Sequence, residues 1–176
     1  ILDDELDLES WTLLKNYWRF GLSSKIKQPA YNDDDIFRDE RAWTYSTEKF
    51  WWNGIWIKSD RRKKLILGID GGIGNAKLRG KGYYIELEAD YKPIEPLNIS
   101  IEASQDLSPS YMQYVDIIDD NNIINRIYAN SEQLTKQIEF RIDWTFSPEL
   151  TLQGYFQPFY ADMKYLRYYE LISPET

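Results

Sequence analysis

The stretch Leu134-Thr-Lys-Gln-Ile-Glu-Phe-Arg-Ile-Asp-Trp-Thr-Phe146 decides the fold class of this chain. Apart from Lys136, every second residue in it is apolar, and the residues between are all polar or charged. Because side chains alternate between the two faces of a β-strand, the pattern predicts a strand with one apolar and one polar face. A soluble sandwich could hold one such strand with its polar face in water, so the rest of the chain decides between the alternatives.

The same alternation recurs along the chain. It predicts seven antiparallel strands, at about residues 6–27, 43–58, 64–74, 82–91, 97–105, 134–146 and 150–160. The second of these is the least clear: Phe50, Trp52 and Trp56 alternate well, but Trp51, Ile55 and Ile57 fill the opposite face with apolar groups too. The others separate their apolar and polar residues well enough to predict an all-β fold.

The connections between these strands alternate in length. Short, turn-like segments at 59–63, 92–96 and 147–149 alternate with longer polar segments at 28–42, 75–82 and 106–133. Outer-membrane barrels have short periplasmic turns and longer outer loops. The sequence therefore predicts one domain, residues 1–176, of antiparallel up-and-down strands that form part of a transmembrane outer-membrane β-barrel, with the three longer segments as outer loops.

The third of these loops contains two alternating stretches of its own. Residues 111–118 and 123–128 predict a hairpin standing above the membrane, with Asp119-Asp-Asn-Asn122 as its turn.

Composition limits the classes of protein to consider. The chain has 176 residues, a net charge of −8 and no cysteine, which argues against a nucleic-acid partner and against disulfide or thiol chemistry. Its mean hydropathy of −0.59 does not exclude a barrel, because inward-facing polar residues dilute the average. The chain opens on Ile1-Leu-Asp-Asp rather than on a signal peptide, and we expect it to be an internal piece of a larger barrel.

Aromatic residues concentrate near the ends of the predicted apolar faces. Tyr83 and Tyr91 bracket one strand, and Trp144 and Phe146 adjoin the turn at 147–149. This placement favours the aromatic girdle of a membrane interface, although cross-strand packing in a soluble sheet gives a similar pattern.

The alternation also assigns side chains to the two faces of a barrel wall. The predicted lipid-facing residues are Leu67, Ile69, Ile85, Leu87, Ile99, Ile101, Ile138, Phe140, Ile142 and Trp144. The predicted lumen-facing residues are Lys15, Arg19, Asp70, Glu86, Glu88, Asp90, Glu102, Glu139, Arg141 and Asp143. The second set has more acids than bases, so we expect it to meet water, basic residues of further strands, or a basic plug or partner.

The sequence offers no convincing catalytic or metal site. It contains no histidine, so a Ser–His or Asp–His centre within it is excluded. Glu86 and Glu88 could act as an acid and base pair, but a solvated or salt-bridged interior explains them better. The acidic runs Asp33-Asp-Asp35 and Asp119-Asp120 could ligate calcium, yet their spacing matches no EF-hand loop. We therefore predict no catalytic residue, no metal and no cofactor.

The segment from Phe146 to Phe159 resembles a known signature, and the segments 59–63, 113–115 and 165–171 agree with it. In these residues the chain is similar to an uncharacterised family of bacterial outer-membrane barrels, whose full-length members often begin with a carbohydrate-binding family 9-like domain. It departs from the family at Phe37-Arg-Asp-Glu-Arg41, where an Arg-Gly-Gly-Pro-like element is common. The family's barrel also continues beyond this region. The resemblance implies a bacterial outer-membrane location but no agreed activity.

Two functions from different classes remain open. The first is an outer-membrane barrel protein of the cell envelope, serving as a passage or as an anchor for a ligand- or partner-binding assembly. Its partners would be outer-membrane lipid and either other cell-envelope proteins or the rest of its own barrel. The alternative is a soluble all-β carbohydrate-binding module that stacks Trp and Tyr on sugars. A barrel would need detergent for extraction, whereas the module would dissolve in buffer.

Overall fold

The computed structural model describes residues 4–32, 45–46, 48–120 and 123–170, and the regular structure there is entirely β. The strands are β1 Glu5–Leu13, β2 Arg19–Lys27, β3 Tyr31–Asn32, β4 Tyr45–Ser46, β5 Phe50–Lys58, β6 Leu65–Ala76, β7 Gly80–Ile94, β8 Leu97–Asp120, β9 Ile123–Ser147, β10 Leu150–Phe156 and β11 Phe159–Glu170. Over these ranges no helix is long and apolar enough to cross a membrane. The all-β prediction is confirmed.

Nine of the strands form one open antiparallel sheet in the order β1-β2-β5-β6-β7-β8-β9-β10, with β11 also paired to β9. Strands that follow one another along the chain lie side by side, apart from the small β3–β4 pair inserted between β2 and β5. This is the predicted up-and-down order. Within the described residues β1 and β10 do not pair, so both edges of the sheet are free.

The last strand is interrupted rather than ended at Pro158. Phe156 pairs with Phe140 and Phe159 pairs with Gln137, which is the same register on both sides of the interruption. The Ile138 amide still donates to the Pro158 carbonyl at 3.1 Å. Proline has no N–H to return that bond, so β10 and β11 are one strand with a single ladder bond missing.

The predicted first strand, 6–27, is wrong: it is two strands, β1 and β2, joined by a tight turn. The Tyr17 amide donates to the Leu14 carbonyl at 2.9 Å, and the Trp18 amide donates to Asn16 Oδ1 at 3.2 Å. Tyr17 closes the turn with φ of 65°, a left-handed conformation usually taken by glycine. Sequence reasoning missed the turn because tyrosine gives no signal for that conformation.

Two of the predicted longer connections are more ordered than expected. Between β6 and β7 only residues 77–79 lie outside the strands, and Gly80 follows with φ of 95°. Segment 106–133 is mostly strand, since β8 and β9 pair as far as Asp120 and Ile123. The two arms 111–118 and 123–128 pair as predicted, but Asp119 and Asp120, predicted to lie in the turn, extend β8 instead. The position of the hairpin above a membrane stays a prediction. In the first connection residues 33–44, including the run Phe37–Arg41, lie outside the described residues.

The β8–β9 hairpin extends beyond the rest of the sheet. Leu107 is the last β8 residue that pairs with β7, and from Ser108 onward β11 is the one described strand that pairs with the hairpin. Here the Tyr128 ring is fully buried, with ring centroids of Tyr114 and Tyr169 at 6.0 and 6.3 Å. Residues of the segments 113–115 and 165–170, distant in sequence, thus meet across β9.

The sheet is a single layer in the described part of the chain. Each described strand contacts only its neighbours in the sheet, and the buried apolar residues are Ala30, Ala76, Tyr128 and Ala129. Most large apolar side chains are exposed, for example Leu87 at 53% and Ile101 at 47%. No described element therefore covers either face.

Candidate functional site: the two faces of the sheet

The strand register places all ten predicted lipid-facing residues on one face, here called the apolar face. Ile101 pairs with Phe140 on one side and with Ala89 on the other, and Leu87 pairs with Ile69. Directly paired residues project to the same side of a sheet, so the apolar residues of neighbouring strands join into one surface.

The opposite, polar face carries nine of the ten predicted lumen-facing residues. They are Arg19, Asp70, Glu86, Glu88, Asp90, Glu102, Glu139, Arg141 and Asp143. Lys15 is the exception, because it lies in the β1–β2 turn rather than on a strand. That assignment followed from treating 6–27 as one strand.

Acidic side chains line up across the middle of the polar face. Glu88 pairs with Glu102, and Glu102 pairs with Glu139, which puts three carboxylates in one row across three strands. Asp70 pairs with Glu86 in the next row. Directly opposed like charges destabilise a sheet unless cations or water offset them.

Basic and hydroxyl groups partly offset this row at its two ends. Lys58 Nζ lies 2.5 Å from Glu88 Oε2, and Arg141 lies 3.2 Å from Glu139 Oε1. The Tyr155 hydroxyl donates to the other Glu139 oxygen at 3.1 Å. In the next row, the Tyr84 hydroxyl donates to Glu86. The polar face is thus a hydrogen-bonded acidic wall with cations at its margins.

Glycines on this face make room for two tryptophans. A Cβ at Gly74 would lie 2.7 Å from Trp52 Cε3, and one at Gly72 or Gly21 would overlap the ring of Trp52 or Trp56. The side chains of Trp52 and Trp56 lie on the polar face. Trp51, Ile55 and Ile57 therefore form the apolar side of β5, whose two faces the sequence pattern alone did not distinguish. The signal for this was the run of alternate glycines in β6.

The short turns form a second organised region at one end of the strands, here called the short-turn end of the sheet. Asp60, only 5% exposed, accepts hydrogen bonds from the Arg62 amide at 3.0 Å and from Arg62 Nε and a terminal nitrogen at 2.9 and 2.8 Å. The Arg62 guanidinium in turn lies 3.1 Å from the centroid of the Tyr17 ring. These contacts tie the β1–β2 turn to the β5–β6 turn.

The same contacts shift the acidity of the turn. The side-chain hydrogen bond from Arg62, followed by the one from its amide, lowers the pKa of Asp60 to about 2. A cleft of about 550 Å³ opens beside the pair, between Trp11 and Trp56. The short-turn end is held by charge-assisted hydrogen bonds, which are stronger than neutral ones.

Metal-ligating groups do not assemble on the described residues. Within them, no group of three or more histidine, cysteine, aspartate or glutamate side chains could hold a metal ion. The run Asp33–Asp35 lies outside the described residues, as do the side chains of Asp119 and Asp120. The carboxylates of the polar face need water or basic partners beside them, because an unpaired buried charge is costly.

Comparison with known proteins gives a family and no activity. No curated protein matches the chain, and no solved structure does. A family profile described as "Domain of unknown function (DUF5916)" matches residues 2–174. Since that match spans nearly the whole sequence, the chain belongs to the DUF5916 family.

Proposed function

We propose that this chain forms part of the wall of a bacterial outer-membrane β-barrel that serves as a passage or as a membrane anchor for a binding assembly. The observation that carries the proposal is the apolar face: a broad sheet surface of aliphatic and aromatic side chains that no described element covers. Soluble monomers rarely expose apolar patches of more than a few hundred Å². Lipid is the partner that suits a continuous apolar surface opposite an acidic one.

Strand dimensions support a membrane-crossing wall. Strands β2 and β5 each have nine residues and β6 has twelve, close to the ~9–11 residues that a tilted strand needs to cross a bilayer. Strands β8 and β9 are much longer, so their outer halves would project beyond the membrane. The projecting part contains the packed tyrosines around Tyr128, which suits a rigid platform for a partner.

Aromatic side chains occupy the proposed interface on the short-turn side. The rings of Trp144 and Phe146 stack with centroids 4.3 Å apart, immediately before the β9–β10 turn. Tyr91 lies near the same short-turn end, on the apolar face. Tryptophan and tyrosine prefer the headgroup level of a bilayer.

The two free edges fit a wall that continues on both sides. A membrane cannot satisfy exposed N–H and C=O groups, so the edges at β1 and at β10–β11 need partner strands. We propose that these strands come from the rest of a closed barrel or from a neighbouring cell-envelope protein.

Fractionation of cells that express the complete gene product tests the proposal. We expect it to sediment with outer membranes, to resist extraction by alkaline carbonate and to dissolve in detergent. The folded barrel should also migrate differently on a gel before and after heating. Release in folded form by carbonate or salt, without detergent, would contradict the proposal and favour the soluble carbohydrate-binding module.

A further inference from the structure

At the short-turn end of the sheet, the β5–β6 turn and the end of β7 join into one surface. The Lys92 amide donates to the Lys64 carbonyl at 2.7 Å, and Lys64 Nζ donates to the Pro93 carbonyl at 2.7 Å. These bonds hold the β5–β6 turn against the end of β7. Between the two segments lies an open groove of about 700 Å³.

This groove is basic although the chain is acidic. The residues Arg61, Lys63, Lys64 and Lys92 border it, are exposed and are together called the basic rim. Glu95 also lines the groove, but the four cations outnumber it. Asp60 beside them is already paired with Arg62. In a chain of net charge −8, such a concentration of cations favours an anionic partner.

The basic rim adjoins the apolar face. Leu65, the first residue of β6, pairs with Tyr91 on that face, and the two side chains are 49% and 46% exposed. Ile94 in the groove is also exposed. A partner at this place therefore meets apolar surface on one side and cations on the other.

We propose that the basic rim binds the phosphate-bearing headgroups of anionic phospholipid in the leaflet on the short-turn side of the membrane. The inference rests on the proposed barrel and names a lipid partner for it. A lipid suits both parts of the surface, because its phosphate meets the lysines while its acyl chains lie along Leu65 and Tyr91. Exposed cations hold a single free phosphate weakly, but they act together at a surface that carries many phosphates.

Lipid selectivity of the complete gene product in phosphatidylcholine vesicles tests the inference. Electron paramagnetic resonance of trace spin-labelled lipid gives the preference for phosphatidylglycerol over phosphatidylcholine at the protein surface. The rim variant is Arg61→Gln/Lys63→Gln/Lys92→Gln, which spares Lys64 and Arg62 because they hold the turns together. A matched control, Lys77→Gln/Lys164→Gln/Arg167→Gln, removes the same charge from exposed residues of the β6–β7 turn and of the part of β11 that would project beyond the membrane.

The wild type and the control should prefer phosphatidylglycerol, and the rim variant should lose most of that preference. An unchanged preference in the rim variant would overturn the inference. So would loss of the preference in excess inorganic phosphate but not in sodium chloride of equal ionic strength, which would identify a phosphate site.

A failure of the barrel proposal gives a different result from a failure of the lipid site. If the protein does not immobilise even the phosphatidylcholine label, it has not entered the bilayer and the barrel proposal fails. Immobilised phosphatidylcholine label without any preference for phosphatidylglycerol leaves the barrel standing and overturns only the lipid site.

Discussion

Lys58 on β5 and Glu88 on β7 form an ion pair across an intervening strand. Their Nζ and Oε2 atoms are 2.5 Å apart, although β6 separates the two strands. Gly68 is the β6 residue between them, and a Cβ built there would lie 2.8 Å from Glu88 Oε2. The missing side chain at Gly68 is what allows the two charges to meet.

The pair should therefore depend on that glycine. A double-mutant cycle with Lys58→Ala and Glu88→Ala should give a coupling energy of about 0.5–1 kcal/mol, typical of a partly exposed pair. In a Gly68→Val background the coupling should fall close to zero, whereas Leu67→Val on the opposite face should leave it intact. Unfolding in denaturant, from detergent micelles, measures it. Full coupling in the valine background would contradict the role given to Gly68.

Gly80 offers a test of backbone strain alone. It has φ of 95°, and nothing lies within 4 Å of a Cβ built there. Gly80→Ala should cost about 1–2 kcal/mol of unfolding free energy, through the left-handed conformation and not through a clash. Gly80→Asn should cost less, since asparagine visits this region more readily. Equal stability of glycine and alanine at this position would contradict the strain.

Asp60 should make the stability of the short-turn end depend on pH in the acid range. Its pKa in the folded chain is lowered to about 2, below the ordinary value of 3.8, first by the Arg62 side-chain hydrogen bond. A lowered folded pKa means that the stabilisation is complete above about pH 4 and is lost as the pH falls towards 2. Stability measured from pH 6 to pH 2 should thus decline through this window. The part of this decline that is due to Asp60 should be absent in Asp60→Asn. An identical loss of stability below about pH 4 in the two proteins would contradict the assignment.

The regular strands were predictable because their alternation is strict. Strands β6, β7 and the paired halves of β8 and β9 follow the sequence pattern, since a period of two needs no knowledge of neighbours. The β1–β2 turn was not predictable, because Tyr17 takes a conformation that its side chain disfavours and Arg62, far along the chain, packs on its ring.

The sequence predicts which residues of the site share a face of the sheet, but not which of their side chains are neighbours. The acidic character of the polar face follows from spacing alone, and the register between strands shows which residues share that face. The row from Glu88 through Glu102 to Glu139 depends on the register between strands, which one strand's pattern does not contain. Likewise the placement of Trp52 over Gly72 and Gly74 requires knowing that β5 and β6 are neighbours.

Arginine substitutions should distinguish the two faces in energy. Ile101 lies on the apolar face at 47% exposure, and Ser100, next in sequence, lies on the polar face opposite Asp90. If the apolar face meets lipid, Ile101→Arg should cost about 2–4 kcal/mol of folding free energy in a bilayer, as at mid-membrane positions of barrels. Ser100→Arg should cost much less. Equal costs in folding titrations into vesicles would contradict a lipid-facing surface.

The acidic wall should set the selectivity of any passage that the barrel encloses. Carboxylates at Asp70, Glu86 and Glu102 outnumber the cations beside them, so the potential along this wall is negative and favours cations over anions. Reversal potentials across planar bilayers, measured in a salt gradient with the complete gene product, should show cation preference. Glu86→Gln/Glu102→Gln should reduce it, whereas Glu95→Gln/Glu149→Gln, at exposed residues of the short turns outside the wall, should change it less. Anion preference in the wild type would contradict an acidic lining, because a negative wall cannot concentrate anions.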